Sequence, residues 1–136
     1  GIYICMQAKN NPTKYGYLNN WNFAFQRWTA WFLLVFLVWH VGYLRFYVKG
    51  VLGTPITYEL IQSYITSSPI VFVLYLIGML AAIFHFTNGI ATFLMTWGIV
   101  KGPRAQKGAG LLSMMLCVAL SLVTIAFMVS YFVPVH

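Results

Sequence analysis

Two histidines lie inside long apolar stretches of the sequence. His40 is near the end of a run from Phe23 to Tyr47, and His85 is past the middle of a run from Pro69 to Trp97. Runs of this length have the dimensions of a membrane span, and lipid cannot solvate an imidazole. Each histidine therefore needs a partner within a protein.

Metal ligation is the strongest use for these two imidazoles. Proton relays in membranes usually contain Asp or Glu, and no apolar run of this chain contains either. Neutral imidazole is a common metal ligand. Because no thiolate or carboxylate accompanies the histidines, a haem with two imidazole ligands fits better than a bare ion: the porphyrin itself supplies four nitrogens.

The two histidines differ in their predicted depth. With a rise of about 1.5 Å per residue and a hydrocarbon core of about 30 Å, His40 lies about 10 Å nearer the outer surface than His85. Axial ligands of one iron need nearly equal depth, so the sequence predicts two haems, each with a second ligand from elsewhere. The main-chain carbonyls of Phe36 and Ala81, four residues before each histidine, are the predicted acceptors for the other ring nitrogen.

Simpler interpretations compete with ligation. A histidine in a span can hydrogen-bond a neighbouring helix, and a face of small residues can serve close helix packing as well as a flat macrocycle. Arg27 and Arg45 are candidate cofactor contacts, although such arginines are more often interfacial anchors. Small or polar residues share the His85 face: Gly78, Ala81, Ala82, Asn88, Gly89 and Thr92.

Composition excludes a soluble domain. Of the 136 residues, 61% are hydrophobic and 7% are charged, and the net charge of +7 comes from eight Lys and Arg against one acid, Glu59. No basic block is long enough to predict a nucleic-acid partner. Cys5 and Cys117 lie far apart without metal-ligand spacing, which indicates structural roles.

The hydropathy pattern predicts an all-α membrane protein, an antiparallel transmembrane helix bundle in a single domain covering 1–136. It has three complete spans, at about 23–47, 69–100 and 110–133, and residues 1–6 are similar to the tail of a preceding helix. A short interfacial helix is expected between Thr57 and Ile65. Ser68 followed by Pro69 predicts the start of the second span.

Basic residues predict the orientation in the membrane. Three crossings bring the 7–20 loop and the 101–107 turn to one side, and that side is cytoplasmic by the positive-inside rule. The residues that decide this are Lys9, Lys14, Lys101, Arg104 and Lys107.

Several short segments resemble, in order and at family spacing, the di-haem cytochrome b membrane anchors of succinate dehydrogenase and fumarate reductase, in particular the Bacillus cytochrome b558 type. The resemblance extends over most of the chain and thins after Lys107. The matching segments are Ala8–Asn11, Tyr15–Tyr17, Asn20–Trp21, Gln26–Thr29, Trp39–Val41, Ser67–Pro69, Ile83–Gly89, Thr96–Ile99 and Pro103–Arg104.

The resemblance implies five spans and two b-type haems, each held by two histidines from different helices. His40 is similar to a ligand of the distal, low-potential haem and His85 to a ligand of the proximal, high-potential haem. The partner histidines would precede Gly1, so this sequence departs from the pattern by lacking both. Arg27 and Arg45 match arginines near the haem propionates and the quinone region.

The implied function is a non-catalytic electron-transfer subunit in a bacterial plasma membrane. It would relay electrons between an iron–sulfur subunit and menaquinone, in a complex whose flavoprotein subunit oxidises succinate. The direction of the reaction stays open between succinate oxidation and fumarate reduction. Two rival hypotheses are a cofactor-free structural anchor and a transporter or channel component.

Overall fold

The computed structural model describes residues 18–133, with side chains from residue 21 onward. The apolar tail at 1–6, most of the 7–20 loop with Lys9 and Lys14, and His136 lie outside the described residues. The elements are α1 (Leu18–Val41), a π-helical segment (Gly42–Val51), α2 (Tyr58–Thr66), α3 (Pro69–Thr96) and α4 (Pro103–Ser130). Between residues 18 and 133 no strand occurs, as predicted for an all-α protein.

Within residues 18–133, three helical stretches are long and apolar enough to cross a membrane: Trp21–Val51, Pro69–Thr96 and Pro103–Ser130. At about 1.5 Å per residue a 28-residue helix is about 42 Å long, which exceeds a hydrocarbon core of about 30 Å. The chain is therefore a multi-pass membrane protein. Where the membrane boundaries fall along these helices stays a prediction.

The starts of α2 and α3 are set by side-chain caps. The Thr57 side chain accepts a hydrogen bond from the N–H of Leu60, so α2 begins where the interfacial helix was expected. The Ser68 hydroxyl accepts from the N–H of Ile70 at 3.3 Å, and Pro69 takes the first helical position, as predicted.

The basic turn differs from its predicted extent. The connection between α3 and α4 covers residues 97–102, and α4 begins at Pro103 behind Gly102, whose φ of 88° is accessible mainly to glycine. Arg104 and Lys107 therefore lie in the first turns of α4 rather than in the turn. Their hydrophilicity suggested a loop, but a helix can extend past the lipid and carry charged residues there.

The chain stays helical beyond α1, in a form that the sequence did not predict. Through Gly42–Val51 the backbone is π-helical, and the following N–H of Leu52 donates to the carbonyl of Tyr47, five residues back, at 3.0 Å. Leu44 and Val48 are buried, whereas Arg45 and Lys49 are exposed. The segment carries the first spanning stretch to Val51, past the predicted end near Tyr47.

Helix α3 is central, because it packs against both α1 and α4. The short turn makes α3 and α4 antiparallel, and the end of α1 meets the start of α3 near α2. The best-buried core lies at this end and contains Ile65, Tyr75, Met128 and Tyr131. The opposite end of the α1–α3 interface is polar, and it contains His85.

Candidate functional site

The His85 side chain is anchored to α1 through its Nδ1 atom. Nδ1 lies 3.1 Å from the main-chain oxygen of Gln26 and 3.3 Å from Thr29 Oγ1. A carbonyl oxygen can only accept, and the Thr29 hydroxyl donates its own proton to the carbonyl of Phe25 at 2.7 Å. Nδ1 is therefore the protonated nitrogen, and the lone pair of the neutral ring is on Nε2.

The side chain of Gln26 also bonds to α3, at the main chain of His85 and at the side chain of Asn88. Its Nε2 donates to the main-chain oxygen of His85 at 3.0 Å, and its Oε1 accepts from Asn88 Nδ2, also at 3.0 Å. A Cβ on Gly89 would lie 3.4 Å from Gln26 Nε2, so this glycine allows the amide to approach α3. We call Gln26, Thr29, His85 and Asn88 the Gln26 cluster.

The His40 ring lies at the other end of the α1–α3 interface, among aromatic side chains. Its Nδ1 is 3.0 Å from the Tyr75 hydroxyl. The Phe36 ring stacks near it with centroids 5.9 Å apart and an interplanar angle of 16°, and Trp39 and Tyr64 contact the Tyr75 ring. Because a tyrosine hydroxyl can donate or accept, this contact does not fix the tautomer of His40. We call these five residues the Tyr75 cluster.

The two histidines are well separated along the helix axes. His85 is level with Thr29, and His40 is level with Tyr75. The separation is 11 residues on α1, or about 16 Å, and 10 residues on α3, or about 15 Å. The predicted offset of about 10 Å was too small, but the prediction of unequal heights is correct. One haem cannot use both imidazoles.

The predicted hydrogen-bond acceptors were wrong. We expected the Ala81 carbonyl to accept from His85 and the Phe36 carbonyl from His40. Both carbonyls lie four residues earlier in the same regular helix, where they accept the main-chain N–H of the histidines themselves. The rings instead reach across to the neighbouring helix.

The Nε2 atoms of both histidines, unlike the Nδ1 atoms, are not held by hydrogen bonds to the described residues. Neither Nε2 makes a hydrogen bond with any residue between 18 and 133, and no buried side-chain nitrogen or oxygen in that range lacks a partner. Both Nε2 atoms therefore reach the surface of the helix bundle. An Nδ1 held by an oxygen and an accessible Nε2 suit an imidazole that would ligate a haem iron, to which the porphyrin supplies four further nitrogens.

The described residues contain no group of three or more His, Cys, Asp or Glu that could hold a bare metal ion.

The two candidate arginines lie apart from the histidine contacts. The Arg27 guanidinium carbon lies 5.7 Å from the centroid of the Phe23 ring, one turn earlier on α1. Arg45 is exposed on the π-helical segment, five residues after His40. Their role as cofactor contacts stays a prediction.

Comparison with known proteins decides the family. The model of the succinate dehydrogenase/fumarate reductase transmembrane subunit family matches residues 9–127, most of the chain. The chain belongs to this family. The resemblance found in the short sequence motifs is thereby confirmed.

A curated relative in this family is the succinate dehydrogenase cytochrome b558 subunit of Bacillus subtilis (strain 168). The two sequences are 39% identical over 123 residues, which is 90% of this chain and 59% of the relative. The chain thus spans less than two thirds of that relative's length. No solved structure matches the chain.

Sequence reasoning missed two important side chains of the site. Gln26 was named only as part of the matching segment Gln26–Thr29, without a role, and Tyr75 was not singled out. A signal existed for Gln26, since a primary amide inside a span needs a partner as much as an imidazole does. For Tyr75 no signal existed, because aromatic residues are abundant throughout the chain.

Proposed function

We propose that this chain forms part of a haem-b-containing membrane anchor of a succinate:quinone oxidoreductase. In it, electrons pass between an iron–sulfur subunit and a quinone, for which menaquinone is our candidate, while a flavoprotein subunit carries out the succinate chemistry. One observation carries the proposal: two histidines in the membrane, about 15 Å apart along the helices, each have Nδ1 anchored and Nε2 accessible. The family and the cytochrome b558 relative support it.

In this proposal His85 and His40 would each supply one nitrogen ligand to a separate haem. Bound haem would supply a one-electron carrier at each height. The Gln26 cluster holds the His85 ring, and the Tyr75 cluster holds the His40 ring among aromatic side chains that exclude water. The second ligand of each haem comes from a helix other than α1 and α3. Arg27 and Arg45 are proposed to neutralise nearby propionates or a quinone oxygen.

The charge distribution supports an orientation in the membrane. Lys101, Arg104 and Lys107 are exposed at one end of the bundle. Glu59, the acid of this chain, lies on α2 at the opposite end. We propose that the basic end is cytoplasmic in a bacterial plasma membrane, where it helps to bind the soluble subunits.

The direct test removes one imidazole at a time. In membranes from cells that express the altered chain in place of the wild type, we expect His85→Ala to lose the inner haem and His40→Ala the outer haem. Haem content and the reduced-minus-oxidised spectrum measure each loss. His136→Ala is the matched control, since no role is assigned to this histidine. An unchanged two-haem spectrum in either variant contradicts the proposal.

A second candidate function is a structural anchor without a cofactor. The observation that favours it is that both imidazoles already link α1 to α3 through Nδ1. A purified wild-type complex with no b-type absorption band, and with His85→Ala reducing only its stability, supports this alternative.

A further inference from the structure

The Gln26 cluster joins α1 and α3 through an unusual reciprocal contact. The main-chain oxygen of Gln26 accepts a hydrogen bond from the Nδ1–H of His85, and the main-chain oxygen of His85 accepts one from the side-chain amide of Gln26. Each residue therefore uses both its backbone and its side chain toward the other. Rotation or sliding of one helix against the other breaks both bonds.

Asn88 and Thr29 complete the restraint. Asn88 Nδ2 donates to Gln26 Oε1 and so fixes which end of the Gln26 amide faces His85. The Thr29 hydroxyl donates its hydrogen bond to the carbonyl of Phe25 in its own helix, so toward His85 it can act only as an acceptor. Every group around Nδ1 is thus an acceptor.

We infer that Gln26 is the positioning residue of His85: it fixes the ring between α1 and α3 as the Nδ1–H tautomer and leaves the Nε2 lone pair free for a metal. This inference rests on the proposed function, because it assigns Gln26 a role toward the inner haem. Among residues 18–133 the His40 site has no equivalent restraint, since the one polar partner of its ring there is a hydroxyl.

The first test uses the unsubstituted chain without haem. With histidine labelled by nitrogen-15, solid-state NMR of haem-depleted membranes distinguishes a protonated Nδ1 from a protonated Nε2. We expect the His85 signal, assigned by its loss in His85→Ala, to be the Nδ1–H tautomer. An Nε2–H tautomer at His85 overturns the inference, whether or not the chain binds haem.

The second test replaces Gln26 in the complete complex. Gln26→Leu removes both side-chain bonds and keeps an apolar residue of similar size. We expect haem to leave the His85 site about 10- to 100-fold faster, as is typical when a residue supporting a metal ligand is removed. Transfer of haem to excess apomyoglobin measures the rate. The electron paramagnetic resonance signal of the inner ferric haem should shift, while that of the outer haem stays unchanged.

Thr92→Val is the matched control on α3. The Thr92 hydroxyl donates only to the carbonyls of Asn88 and Gly89 in its own helix, so its loss should leave both haems unaffected. Equal rates of haem loss in Gln26→Leu and Thr92→Val overturn the inference. An equal weakening of the binding of both haems by Gln26→Leu also overturns it, because that result indicates a general loosening of the helix bundle.

The outcome for His85→Ala separates the two claims. If His85→Ala loses the inner haem but Gln26→Leu retains it as the wild type does, the proposed function stands and the positioning role fails. If His85→Ala retains both haems, the proposed function fails, and the positioning role toward haem fails with it.

Discussion

Gly78 provides the sharpest test of the packing around His40. The Phe36 ring of α1 lies directly on this glycine: a Cβ at position 78 would be 2.5 Å from Phe36 Cε2 and Cζ and 2.8 Å from Cε1. Carbon atoms in contact prefer about 3.5–4.0 Å. Gly78→Ala therefore requires the ring to move by about 1 Å or more.

The ring has little room for that movement. It is surrounded by the rings of Phe32, Trp39, His40 and Tyr75, with centroid distances between 5.6 and 6.2 Å. Overpacking of this kind costs about 1–3 kcal/mol. Alanine is a better helix former than glycine by about 0.5–1 kcal/mol, which offsets part of the cost.

Gly108→Ala isolates the packing cost. Gly108 is in α4 and has nothing within 4 Å of its added Cβ, so this variant gains only the helix propensity. The difference in the free energy of unfolding between the two variants, measured by denaturant titration in detergent, should be about 1–3 kcal/mol. Phe36→Leu combined with Gly78→Ala should recover part of it, because the smaller side chain vacates the space.

The spectra add a site-specific readout. Because Phe36 stacks on His40, Gly78→Ala should perturb the absorption band lost in His40→Ala and leave the band lost in His85→Ala unchanged. Equal stability of Gly78→Ala and Gly108→Ala, with no spectral change, refutes this account of the α1–α3 contact.

Three further predictions follow from other contacts. Tyr75→Phe removes the hydroxyl that contacts Nδ1 of the outer histidine while keeping the ring, so low-temperature spectra should show a shifted outer haem band and an unchanged inner one. Met128 is 1% exposed, so Met128→Ala should lower the free energy of unfolding by about 2–5 kcal/mol, whereas Met114→Ala, at 63% exposure, should change it little. Hydrogen bonds from the backbone N–H of Glu59, and secondly from the Thr57 hydroxyl, lower the pKa of the Glu59 carboxyl below its ordinary value of 4.5. The stability that the ionised carboxylate gives α2 is therefore fully present above pH 4.5 and is lost as the pH falls through the lowered pKa. The protection factors of the α2 amides, which correct each exchange rate for its intrinsic pH dependence, should fall over that acidic range, and Glu59→Gln should abolish this fall.

Much of the fold could be predicted because the determining signals are local. The serine before α3 and the proline at its first position fix its start, and the length of each apolar run fixes a spanning helix. The antiparallel order then follows from a short connection. The start of α4 was misplaced because Arg104 and Lys107 look like loop residues, although charged side chains are compatible with a helix that extends past the lipid.

The π-helical segment could not be predicted from its sequence. Gly42–Val51 contains residues that an α-helix also accepts, and it buries Leu44 and Val48 as an α-helix could. The sequence therefore carries no local signal for the π-helical form.

The candidate site was predicted in its histidines but not in their partners. An imidazole in a span signals a need for contacts, and the family motifs around His40 and His85 strengthened that signal. Which face of α1 meets α3 depends on packing between helices, so the contacts of Gln26 and Tyr75 could not be derived from spacing along one helix. At Gly78 and Gly89 the small-residue face serves close helix contact, one of the two uses considered for it.

The most direct measurement of metal ligation is rescue by free imidazole. His85→Gly removes the side chain and leaves a space beside Gln26 in which imidazole can bind. If His85 ligates the inner haem, membranes carrying His85→Gly should lack the inner haem band and regain it when imidazole is added with haem. An inner haem band that persists in His85→Gly without imidazole contradicts the assignment of His85 as a haem ligand.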